Sequence, residues 1–166
     1  MPTLLAFPIL GIVVLLQTTV LGRLPLLHGT ADLMLIVLVA WALQERVTVS
    51  WQWTLIGGAM ITLVSAMPLL ALFASYLMVT GIARLLQQRV WQTPILAMFF
   101  TTFVGTILQH LISIVVLQFN GTPLPLGDSL SLVTLPSALL NLILALPVYA
   151  VISDLAQWVY PAEVEI

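Results

Sequence analysis

Charge is what this chain most lacks. Of its 166 residues only 6% are Asp, Glu, Lys or Arg, while 61% are hydrophobic. Soluble domains run to about a quarter charged. No charged residue occurs from Val47 to Ala83, from Val90 to Gly127 or from Ser129 to Ser153. About 20 apolar residues cross a bilayer as a helix, and a charge at its centre costs roughly 2.5–3.5 kcal/mol. The first two stretches are each nearly twice a crossing long, which fits a hairpin or a crossing plus a long loop. Such avoidance excludes a water-soluble domain and predicts an all-α integral membrane protein, one domain over residues 1–166. Cysteine is absent too, which excludes disulfides and thiol chemistry. A net charge of −2 with no basic patch excludes nucleic acid as a partner. The first apolar run has no basic region before it and no small-residue cleavage site after it. It reads as a retained helix, not a signal peptide.

What is present predicts six transmembrane helices, at about 4–21, 32–43, 51–66, 69–86, 94–118 and 132–154. Gly22-Arg23-Leu24-Pro25 ends the first, and Gln44-Glu45-Arg46 stops the second. The second is short for a crossing, so flanking residues extend it or the bilayer thins. Met67-Pro68 separates the third from the fourth, because proline disfavours helical geometry in the residue before it. Arg84, Gln87, Gln88 and Arg89 form a polar turn, and Pro94 suits the first turn of a fifth helix. Residues 119–131 carry turn chemistry: Asn120-Gly121, Pro123, Pro125 and Gly127. Pro136 lies near the start of the sixth helix, and Pro147 inside it should produce a kink.

Six crossings put both termini on one side. With the termini inside, Arg46, Arg84 and Arg89 lie on the cytoplasmic face and Arg23 outside, as the positive-inside rule prefers. Trp41, Trp51, Trp53, Trp91 and Trp158 all fall near that inner face, where indoles favour the interface.

Lipid gives helices no hydrophobic reason to meet, so small-residue stripes mark packing faces. Three occur at four-residue spacing: Gly58, Thr62 and Ala66; Ala97, Thr101, Gly105 and Gln109; Ser137, Asn141, Ala145 and Tyr149. Each either packs inside the chain or docks another protein's transmembrane helix. Polar residues at membrane depth are few: Gln17, Thr18, Thr19, Gln109, His110 and Asn141. Gln109 and Asn141 suit hydrogen bonds between helices. His110 has the titration range of a proton relay, but no carboxylate is expected at similar depth to partner it. Asp32 and His28 are close in sequence, which admits a metal or acid–base pair. Asp32 is better read as an N-cap at the positive end of the second helix. Asp128 and Asp154 read as solvated loop and helix-end charges. Asn120-Gly121-Thr122 matches a glycosylation sequon but is chiefly a turn. The chain has no phosphate-binding glycine loop, no metal-spaced His/Glu set and no Ser/His/Asp series. An enzyme would have to work with almost no ionisable groups, so neither catalysis nor a cofactor is expected.

Several local sequences carry a resemblance. The first helix ends in Leu15-Leu16-Gln17-Thr18-Thr19-Val20-Leu21, followed by Leu24-Pro25. Ala31-Asp32-Leu33 opens a leucine-rich helix, and Ile56-Gly57-Gly58 opens a glycine-rich one. The last helix carries Leu135-Pro136-Ser137-Ala138-Leu139-Leu140-Asn141, then Leu146-Pro147-Val148-Tyr149. In order and over nearly the whole chain, this pattern resembles the rod shape-determining protein MreD family of bacteria. Gln17, Thr18, Asp32, Pro136 and Pro147 are the motif-matched positions. Two departures stand out: Ala31 replaces a usual proline, and Ser65-Ala66-Met67-Pro68 stands where relatives carry an Asp.

The resemblance implies a six-helix fold like the substrate-binding subunits of energy-coupling-factor transporters. It implies a non-enzymatic scaffold in the inner membrane, within the elongation machinery for side-wall peptidoglycan. The implied partners are MreC through its single transmembrane helix, RodA and its penicillin-binding transpeptidase, indirectly MreB, and membrane lipids. The rival expectation is a vitamin-binding transporter subunit, for which His28, Thr30, Asp32, Asn120 and Asp128 are the external polar groups. A lipid-handling role is a third, poorly served by an interior so short of charge.

Overall fold

A computed structural model describes residues 2–21, 28–89, 93–121 and 125–161. Among them every long element is a helix: α1 (Pro2–Thr19), α2 (Leu33–Ala42), α3 (Ser50–Thr62), α4 (Leu69–Arg89), α5 (Pro94–Phe119) and α6 (Leu135–Val159). A helical turn, Leu126–Asp128, and a π-helical segment, Ser129–Thr134, lead directly into α6. Among the described residues three helical stretches are long and apolar enough to span a membrane: Leu69–Arg89, Pro94–Phe119 and Ser129–Val159.

The outer surface of the bundle is the reverse of a soluble protein's. Large apolar side chains face outward, with Leu70 81% exposed and Ile143 69%. Small hydroxyl residues are inside: Ser75, Thr80, Thr101, Thr102, Thr106 and Ser137 are all buried. Lipid is as apolar as leucine, so the interior is chosen for close approach and hydrogen bonding instead. Thr54 and Thr80 join α3 to α4 through their hydroxyls at 2.7 Å.

The axis of the bundle is its shortest long helix. Nine of the ten residues of α2, Met34 to Ala42, are buried, and α2 touches each of the other five helices. A helix apolar all round belongs in a core. Ten residues rise about 15 Å, half the hydrocarbon thickness. The helix expected over 32–43 is thus present as α2, half a crossing in length and sheathed by its neighbours.

Other expectations shift for local reasons. α3 ends at Thr62 rather than 66, because the turn before Pro68 begins early; the Met67 N–H bonds the Ser65 hydroxyl at 3.2 Å. The polar turn expected over 84–89 is instead the last turns of α4. The loop expected over 119–131 is helical again from Leu126, and the last helix extends to Val159 instead of 154. α6 continues through Pro147. The first helix starts at Pro2 and ends at Thr19. Its expected terminator, residues 22–25 with Arg23, and also Trp91, lie outside the described residues.

Two tryptophans are not interfacial. Trp41 and Trp53 are fully buried and stack with ring centroids 3.9 Å apart and planes 19° apart. Trp51 and Trp158 are exposed, as interface indoles should be. The stripe glycines are used internally. A Cβ on Gly105 would sit 2.8 Å from Val79 of α4, and one on Gly58 would sit 3.2 Å from Phe73 of α4. Ala97, Thr101, Ser137, Asn141 and Ala145 are buried, Thr62, Gln109 and Tyr149 are half-buried, and Ala66 is exposed.

Candidate functional site

The backbone entering α2 is not helical before Leu33. Unwound backbone inside a membrane bundle must find its hydrogen bonds within the protein. It finds them in side chains from both flanks. The Thr30 N–H donates to Ser137 Oγ (3.0 Å) and the Asp32 N–H to Asn141 Oδ1 (2.8 Å), both on α6. The Met34 N–H donates to Gln17 Oε1 of α1 (2.9 Å), and the Leu35 N–H to Asp32 Oδ1 (2.9 Å). The expected N-cap at Asp32 thus meets one of four backbone donors that side chains satisfy here.

The other carboxylate oxygen reaches across the bundle. Asp32 Oδ2 accepts the Tyr76 hydroxyl of α4 at 3.0 Å and the Gln109 Nε2 of α5 at 2.6 Å. Asp32 therefore accepts three donors and joins α2, α4 and α5. A hydrogen bond to a charged group contributes about 1.5–3 kcal/mol. Three of them outweigh the roughly 2.5–3.5 kcal/mol cost of a membrane-embedded carboxylate. Asn141 extends the network: its Nδ2 donates to Thr106 Oγ1 (2.9 Å), which donates to the Thr102 carbonyl (2.8 Å). At the far end of α2, Arg84 Nη1 lies 3.4 Å from the Ala42 carbonyl. Both ends of the α2 dipole thus meet a complementary charge.

The network borders a cavity of about 290 Å³ at the end of the bundle opposite the tryptophan pair. Gln17, Thr30, Asp32, Tyr76, Gln109 and His110 contribute its polar wall. The expectation that no carboxylate shares the depth of His110 is overturned. Gln109, its chain neighbour, bonds Asp32 directly, and Asp32 and His110 line one cavity. The cause is the shortness of α2, whose N-terminus lies inside the bundle rather than at its rim. His28 is exposed and does not line this cavity. Among the described residues no group of three or more His, Cys, Asp or Glu could hold a metal ion. Asn120 and Asp128 are exposed outside the cavity.

Tyr76 and Thr106 had no sequence signal, since each is a single polar atom in an apolar run. Thr134 is likewise invisible in sequence. In the structure its hydroxyl donates to the Ser129 carbonyl (3.2 Å) across the π turn and lies 3.1 Å from His110 Nδ1.

A second concavity is apolar. It lies between α1 and α6, floored by α2, with Ile12 and Val13 on one wall, Leu144 and Val151 on the other, and Val37 beneath. Its volume is about 360 Å³.

No protein-family model, curated protein or solved structure matches this chain.

Proposed function

We propose that this chain is a non-enzymatic scaffold of the bacterial cell-elongation complex, an MreD-like protein that seats the single transmembrane helix of MreC. The sequence pattern described above supports the family. The observation that carries the mechanism is the apolar groove between α1 and α6. Its α6 wall from Leu144 to Leu155 is about 16 Å long at 1.5 Å per residue, about half the hydrocarbon depth. A partner helix held there gains van der Waals contact along that length. By gripping MreC, the protein would set how MreC meets RodA and its penicillin-binding transpeptidase outside, with MreB inside. In this reading the chain passes through the inner membrane six times, the second pass made by α2 together with the non-helical backbone that leads into it, with both termini cytoplasmic.

The small-residue stripes are poor choices for this docking, because Gly58 and Gly105 already hold α4. The groove is the better place to test. Ile12→Trp and Val151→Trp should each cut MreC co-purification at least tenfold while the protein stays inserted. Leu70→Trp, on a lipid-facing position of α4, should leave it unchanged. Wild-type recovery for both groove variants would refute the seat.

The polar cavity favours a second reading, a transporter subunit that binds a vitamin-like molecule. Convergent polar groups in a concave site are what such binding needs. A small molecule carried through purification and seen by native mass spectrometry would support it.

A further inference from the structure

Three hydroxyl protons around the Asp32 cavity are committed within the protein. Tyr76 gives its hydroxyl proton to Asp32, Thr18 gives its own to the Val14 carbonyl, and Ser113 gives its own to the Gln109 carbonyl. An ionised Asp32 is acceptor-only, so Gln109 must turn its NH₂ to it. That fixes Gln109 Oε1 as an acceptor, and this atom is buried without a hydrogen-bond partner. His110 is constrained in the same way. Thr134 uses its proton on the Ser129 carbonyl, so His110 Nδ1–H is the donor between them. Neutral His110 then keeps a bare Nε2 acceptor. Asp32 is the one charged group among the described residues lining the cavity. An ionised carboxylate offers about four acceptor positions and three are filled.

Gln17, Thr30 and Ser65 add polar groups with protons of their own to the wall, so it is the charge that selects the ligand: a cavity with one negative charge and an unpaired acceptor beside it is complementary to a cation that carries N–H donors. A water occupies about 30 Å³ of liquid, so about 290 Å³ holds a molecule of modest size. We propose that this cavity binds a small molecule through a primary ammonium group, with Asp32 as counter-charge and Gln109 Oε1 as a second acceptor. The inference stands independently of the MreC seat. The ammonium could belong to a free amine or to an ethanolamine lipid headgroup, since the chemistry recognised is the same.

The test uses the full chain in phosphatidylglycerol nanodiscs, titrated with ethanolamine hydrochloride and with ethylene glycol at equal ionic strength. Ethanolamine should raise the thermal midpoint and ethylene glycol should not. Asp32→Asn keeps a capping side chain and should weaken ethanolamine binding at least tenfold. Should that variant fail to insert, Gln109→Met removes the second acceptor, and several-fold weakening is expected. Repeating the titration in phosphatidylethanolamine nanodiscs separates the sources. Loss of the ethanolamine response there means that the headgroup already occupies the site, and an undiminished response means that the free amine is preferred. Equal shifts with both probes, no shift in phosphatidylglycerol, or an unaltered response in the inserted variant would overturn the proposal.

Discussion

Gln109 on α5 donates to Asp32 at the head of α2 over 2.6 Å, although 77 residues separate them in the chain. Through this contact and the Tyr76 hydroxyl, one carboxylate fixes the entrance of the central helix against two of the long spans. Its consequences are measurable.

Asp32→Ala should be strongly destabilising. It strands the Leu35 N–H, the Tyr76 hydroxyl and the Gln109 amide, and each buried donor left unpaired costs about 1–3 kcal/mol. A loss of about 3 kcal/mol or more is expected, read as the midpoint of reversible SDS unfolding. Asp32→Asn should lose less, because it retains the cap. Equal stability of the alanine variant and wild type would mean the network is incidental.

Glycines in the bundle should divide sharply. At Gly105 a Cβ would fall 2.8 Å from Val79, whereas at Gly11 nothing lies within 4 Å. Gly105→Ala should therefore destabilise by about 1–3 kcal/mol through overpacking, and Gly11→Ala should be neutral or slightly stabilising. Val79→Ala should rescue part of the Gly105→Ala defect. Strict additivity of the two changes would place the strain elsewhere.

The tryptophans should respond differently to a quencher carried on lipid chains. In single-tryptophan variants, Trp158 is 70% exposed and should be quenched. Trp41 and Trp53, stacked in the core, should be shielded. Trp41→Ala should cost about 3–5 kcal/mol, as for other large core truncations, while Trp158→Ala should change stability by no more than about 0.5 kcal/mol.

Topology can be read directly, because the chain has no cysteine to remove. Asn120→Cys sits on the exposed turn where Gly121 has φ 80°, at the end of the bundle that bears the Asp32 cavity. An impermeant maleimide should label it in intact spheroplasts. Glu45→Cys, exposed at the other end, should label only after permeabilisation. The reverse pattern would invert the orientation.

Much of the fold was legible because it is written locally. Leu69–Arg89 and Pro94–Phe119 are uninterrupted apolar stretches bounded by proline or polar turns, and the structure keeps both as helices. The Asp32 cap was legible because a carboxylate just before an apolar run lies within reach of the unpaired N–H groups of the first turn. The π segment was hidden because Asn120, Gly121, Pro123, Pro125 and Gly127 all argue for loop, and helix resumes within them. Gln17, Gln109 and Asn141 stood out as polar residues at depth, but their shared target did not.

By itself, then, the sequence determined the solvent and the segments. A chain with so few charges is stable where water is absent, and apolar runs between breakers become helices because backbone hydrogen bonds must close locally there. Tertiary structure alone decided that α2 is the buried axis of the bundle, that Trp41 and Trp53 face each other, and that Asp32 meets Tyr76, Gln109 and Asn141. A helix apolar on every side has no periodicity to say which neighbour it faces. Which polar atoms meet is then set by how close the small residues of distant helices let their backbones come.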